Sequence, residues 1–138
     1  MRTKSIVLVV VTALLLAAAA SAAALDVIRG TDGPDNLNGT AGSDLIYARA
    51  GNDIVRAHDG NDVVYAGRGN DVVRGGPGND VLHALANDDQ PDILDCGAGY
   101  DVAYVIVHDP ARFRGCEQVI RLSPEEAAGL AAANDDNG

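Results

Sequence analysis

From Gly30 to His83 an aliphatic residue recurs every nine positions: Leu37, Ile46, Val55, Val64, Val73 and Leu82. Each is the centre of a three-residue run such as Leu45-Ile46-Tyr47 or Val63-Val64-Tyr65, and Gly, Asn and Asp fill the space between runs. Runs this short, rich in β-branched and aromatic residues, predict very short strands. The intervening Gly, Asn and Asp tolerate positive φ and supply tight turns. One strand and one turn make half a coil. Two nine-residue units then make a full coil with a strand on each side, and units two apart stack at about the 4.8 Å strand spacing. The pattern predicts an all-β chain wound as a parallel roll with two sheets.

The units read GTDGPDNLN, GTAGSDLIY, ARAGNDIVR, AHDGNDVVY, AGRGNDVVR and GGPGNDVLH. Their fourth position is always glycine (Gly33, Gly42, Gly51, Gly60, Gly69, Gly78) and their sixth always aspartate (Asp35, Asp44, Asp53, Asp62, Asp71, Asp80). Asn87 to Pro91 then interrupt the period, Asp92-Ile93-Leu94 resumes it, and Cys96 to Tyr104 form one more unit with Gly99 and Asp101. An internal repeat of this kind is the signature of a solenoid.

These units resemble the Gly- and Asp-rich nonapeptide of the RTX, or hemolysin-type, calcium-binding repeats. The likeness spans about 75 of the 138 residues and departs at the first two positions, where Ala replaces Gly in three units and Thr, Arg or His stands second. It implies a parallel β-roll, a two-sheet β-solenoid, holding several Ca²⁺ ions between stacked turns. The expected metal residues are Asp35, Asp53, Asp71 and Asp92 along one edge, and Asp44, Asp62, Asp80 and Asp101 along the other. Like charges about 5 Å apart repel by roughly 1 kcal/mol per neighbour even in water. A hard divalent cation reverses that sign, and Ca²⁺ accepts six to eight oxygens in loose geometry. Ordinary Asx-type turns in a metal-free solenoid are the alternative; they account for Asn and Asp in general but not for an unvarying Asp at one position. An EF-hand needs a closing Glu, and none occurs before Glu117. So few inward aliphatics offset poorly the entropy of ordering a glycine-rich chain. The roll is therefore expected to fold only with its ions.

Charge and the ends of the chain refine this reading. The formal net charge is −10, and Asp outnumbers Glu heavily. That balance disfavours nucleic acid and anionic membranes and favours cations. Arg2, Lys4, the apolar run Ile6 to Leu16 and an Ala-rich stretch read as a secretory signal peptide over residues 1–24, with Ala20-Ser21-Ala22 and Ala22-Ala23-Ala24 as small-residue cleavage signals. An uncleaved anchor is the alternative, although the Ala-rich half is weakly hydrophobic. Residues 25–107 are then the calcium-binding roll and 108–138 a C-terminal cap and tail. Cys96 and Cys116 are expected to pair in an exported chain, pinning the cap to the last coil. Ser123-Pro124-Glu125-Glu126 resembles a helix start.

No enzyme is read from the chain: His58, His83 and His108 are scattered, and no Ser/His/Asp arrangement on a supporting scaffold and no nucleotide loop accompanies them. One outer face is expected to carry Leu45/Tyr47, Val63/Tyr65, Val81/His83 and Val102/Tyr104. That face is either a docking surface for a protein or glycan partner or plain β-propensity and cover for the C-terminal segment. The leading expectation is a secreted calcium-binding protein free of the membrane after cleavage. The alternatives are an adhesion or matrix module acting through the tyrosine face, and an accessory fragment of a secreted hydrolase.

Overall fold

The computed structural model describes residues 24–134. The expected signal segment, apart from Ala24, lies outside these residues. Eleven short strands and one helix follow in order: β1 Asp26–Arg29, β2 Asn36–Asn38, β3 Asp44–Tyr47, β4 Ile54–Arg56, β5 Val63–Tyr65, β6 Val72–Pro77, β7 Val81–Ala84, β8 Ile93–Ala98, β9 Val102–Ile106, β10 Arg112–Arg114, β11 Gln118–Leu122 and α1 Pro124–Asn134. The odd strands form one sheet in the order β1-β3-β5-β7-β9-β11, and the even strands form the other, β10-β8-β6-β4-β2. Every pairing is parallel, as in Ile46↔Val64, Val64↔Leu82 and Leu82↔Ala103. This is a two-sheet β-solenoid of about five turns.

The core is the narrow space between the sheets. The eighth-position aliphatics Ile46, Val55, Val64, Val73 and Leu82 are fully buried there, and Leu94 and Ala103 continue the rows. A second inward row comes from the first position of the units: Ala48, Ala57, Ala66, Ala84 and Cys96 are also fully buried. Alanine in place of glycine therefore adds a methyl to the core, where each buried carbon contributes on the order of 0.8 kcal/mol.

The coils sit so close that some glycines admit no side chain. A Cβ on Gly78, whose φ is +138°, would run into the carbonyl oxygen of Gly60, and one on Gly69, at +118°, into that of Gly51. Left-handed backbone and absent Cβ are both needed at these turns.

The solenoid extends beyond the repeats at both ends. β1 pairs with β3 in the register Asp26↔Asp44. At the other end β10 adds to β8 and β11 to β9. The segment 108–138, expected as cap and tail, thus supplies the last strand of each sheet as well as the helix. A disulfide joins Cys96 of β8 to Cys116 between β10 and β11, with Cα atoms 5.2 Å apart. It closes a loop of about 20 residues, worth roughly 3 kcal/mol of chain entropy in the unfolded state. α1 begins at a reciprocal cap: Ser123 N donates to Glu126 Oε2 at 2.8 Å, and Glu126 N to Ser123 Oγ at 3.3 Å. Among the described residues no helix is long and apolar enough to cross a membrane.

Leu82→Ala tests the thin core. Removing this fully buried side chain should lower the stability of the folded protein by about 2–5 kcal/mol, measured by denaturant unfolding.

Candidate metal centre

The sixth-position aspartates open each strand, where the chain leaves the turn and enters the sheet. There Asp44, Asp62, Asp71, Asp80 and Asp101 are fully buried, and Asp53 and Asp92 nearly so. They line up in the two expected columns, and a hydrogen bond joins each to the next. Asp35 N donates to Asp53 Oδ1 at 2.8 Å, Asp53 N to Asp71 Oδ1 at 2.8 Å, and Asp71 N to Asp92 Oδ1 at 2.9 Å. On the other edge Asp44 N donates to Asp62 Oδ1 at 2.8 Å, Asp62 N to Asp80 Oδ1 at 2.9 Å, and Asp80 N to Asp101 Oδ1 at 2.7 Å. From Asp53 onward, one oxygen of each carboxylate therefore fastens one coil to the coil before it.

The second oxygen is the informative one. Oδ2 of Asp53, Asp62, Asp71, Asp80 and Asp101 is buried without any hydrogen-bond partner. A buried carboxylate oxygen left unpaired costs several kcal/mol. Five at one repeat position mark a missing partner rather than a local flaw. The protonation equilibria carry the same mark. Burial pushes Asp62 up to about 6 and Asp71, Asp80 and Asp92 up to about 7. The N–H received from the neighbouring coil opposes the shift, and the adjacent carboxylate adds to it. Asp53 and Asp101 are raised as well, again mainly by burial.

The first coil differs. Oδ2 of Asp35 accepts from Thr31 N at 2.5 Å and Thr31 Oγ1 at 3.0 Å. Oδ2 of Asp44 accepts from Thr40 N at 2.6 Å and Thr40 Oγ1 at 3.2 Å. These two aspartates share the columns but not the orphaned oxygen.

The donor set suits a hard cation. Among the described residues no three His, Cys, Asp or Glu side chains gather into a cage. Carboxylates stand singly along each edge, and the turns between them are dense in backbone carbonyls. Ca²⁺ takes six to eight oxygens, carboxylate and carbonyl alike, whereas Mg²⁺ demands strict octahedral geometry. The expected turn glycines Gly51, Gly60, Gly69, Gly78 and Gly99 all have φ between +118° and +143°. Gly33, in the first turn, does not share that conformation, and neither it nor Gly42 is left-handed.

Three features of these edges escaped the sequence reading. Asp26 and Glu117 extend one column beyond the repeats: Asp26 pairs in register with Asp44, and Glu117 Oε2 accepts Asp101 N at 2.8 Å. Asp26 stands nine residues before Asp35, a signal available in the sequence. The fifth-position asparagines form a second ladder, with Asn79 N on Asn61 Oδ1 and Tyr100 N on Asn79 Oδ1, both at 2.9 Å. In the inserted loop, Asp88 Oδ2 accepts Gly69 N at 2.8 Å, where other turns use a carbonyl, as in Gly51 N on Arg68 O.

The outer face of the odd-strand sheet is a ladder of rings. Tyr47, Tyr65, His83 and Tyr104 stack with centroids 5.0, 4.4 and 4.8 Å apart, and Arg29 lies over the Tyr47 ring. Burial pushes the His83 imidazole down to about 4. Leu130 of α1 joins Tyr65 and His83 in lining a groove beside this ladder.

Comparison with curated proteins and with solved structures gives no match. A family model does match: the RTX calcium-binding nonapeptide repeat, over residues 29–64 and 56–91. Those repeats bind several calcium ions per stack. Residues 29–91 are thus RTX calcium-binding nonapeptide repeats, which supports a calcium-binding β-roll protein.

Proposed function

We propose that this is a secreted protein in which calcium binding and folding are one event. The ions lie between stacked turns, held by carboxylates of Asp53, Asp62, Asp71, Asp80, Asp92 and Asp101 together with backbone carbonyls. The observation that carries this reading is the row of buried Oδ2 atoms without partners. A cation supplies the missing partner to each, cancels the repulsion along each column and offsets the burial of charge. Without it the roll holds stacked anions over a core of single aliphatic side chains. The family match supports calcium as the ion.

Export rests on the composition of residues 1–24 and on the Cys96–Cys116 disulfide, which suits an oxidising compartment. Repeats of this family are commonly extracellular. The ion is structural in this reading and no catalytic role is assigned. The stacked face of Tyr47, Tyr65, His83 and Tyr104 favours a second, compatible reading as an adhesion module. Binding of a glycan panel that is lost in Tyr47→Ala would support it.

Far-ultraviolet circular dichroism of the chain from Leu25, disulfide intact, should turn from disordered to β-rich during a Ca²⁺ titration. The midpoint is expected at about 10⁻⁴–10⁻³ M, the range of extracellular modules, with Mg²⁺ inert. Asp80→Asn keeps an acceptor for Asp62 N–H but removes the charge, and should move the midpoint to higher Ca²⁺. A chain already β-rich in excess chelator and indifferent to Ca²⁺ would sink the coupling.

The metal-free roll has its own pH dependence. The carboxyls of Asp62, Asp71, Asp80 and Asp92 sit at about 6 to 7 when folded and near 4 when unfolded, so the folded form binds more protons across that window. Stability in chelator should therefore rise as pH falls from 7 towards 4, read as a growing β signal. Calcium affinity should fall over the same range, because protons compete for the same oxygens.

A further inference from the structure

The aspartate columns contain two kinds of turn, and the second residue of each unit decides which kind forms. Position two is left-handed at Arg49 (φ 82°), His58 (77°), Gly67 (91°), Gly76 (116°) and Gly97 (108°). In those five turns the aspartate four residues on, from Asp53 to Asp101, has a buried Oδ2 with no partner. Thr31 and Thr40 do not adopt that conformation. A β-branched side chain is strongly disfavoured at positive φ. With the backbone turned the other way, each threonine brings its own N–H and hydroxyl onto the aspartate Oδ2, at 2.5 and 3.0 Å for Asp35 and 2.6 and 3.2 Å for Asp44. The hydroxyl also accepts the N–H of the fourth-position glycine, at 3.2 Å for Gly33 and 3.1 Å for Gly42. The turn closes on itself.

We propose that Thr31 and Thr40 stand in for calcium, making the first coil a metal-independent end piece, and that ion binding begins at the turns of Asp53 and Asp62. The inference rests on the calcium reading above and sharpens it: Asp35 and Asp44 are structural acceptors, while the later aspartates are ligands. Two donors already occupy the oxygen an ion would need, and both carry partial positive charge, so they oppose a cation at that point. The first coil still offers Asp35 N and Asp44 N to the carboxylates of the second. It can therefore serve as the surface on which calcium-dependent coils stack.

Calcium counting by equilibrium dialysis on the disulfide-intact chain separates the two classes of turn. D35N/D44N should bind as many ions as the wild type, and D53N/D62N fewer. T31G/T40G, which frees position two for the left-handed turn, should gain one ion per restored turn, with the β signal at saturating Ca²⁺ unchanged. An equal loss in D35N/D44N and D53N/D62N, or no gain in T31G/T40G, would overturn the assignment. A wild-type chain that takes up no Ca²⁺ would instead remove the calcium reading and the inference with it.

Discussion

The rest of this molecule depends on a carboxylate that faces two ways. From Asp53 onward each sixth-position aspartate accepts a backbone N–H from the preceding coil through one oxygen, while its other oxygen is buried and unpaired at five of these positions. The first bond sets the stacking of the coils. The second oxygen makes that stacking conditional, because several desolvated anions in a column oppose the fold unless something positive joins them. The stacking of the coils and the proposed ion requirement thus rest on the same side chain.

The constraint extends into the turns. Coils at strand spacing leave no volume for a Cβ beside the neighbouring carbonyl at Gly69 and Gly78, and those residues also need a left-handed backbone. Glycine meets both demands but contributes nothing to the core and is the residue most disordered when unfolded. The burden of stability falls on one aliphatic residue per unit, the small residues at position one, the ladders of Asp and Asn, and the disulfide at one end. Arg49 and His58 hold positive φ without being glycine, so the stacked fold imposes that conformation on them against their preference.

A solenoid leaves two open ends and long outer faces. Here the C-terminal end is fastened by Cys96–Cys116 and extended by β10 and β11, while Glu117 takes the place of an aspartate on Asp101 N. The outer face of the odd-strand sheet carries stacked rings at the strand spacing, and α1 lends Leu130 to the groove beside them.

By itself the sequence determined the coil. A nine-residue period with one aliphatic, one glycine and one aspartate at fixed places specifies strand, turn and the pairing of units two apart, so the sheets, the two columns and the cysteine pair were legible. The tertiary structure decided what the period does not encode. Asp26 and Glu117 join a column because the neighbouring strands pull them into register, although the sequence around Glu117 no longer repeats. The buried alanines at position one are core because the chain bends inward there, which composition cannot reveal. The difference between Asp44 and Asp62, identical in the repeat, arises from the φ that Thr40 refuses and His58 accepts. A sequence pattern records which residue stands where; which oxygen remains without a partner depends on how the backbone turns around it.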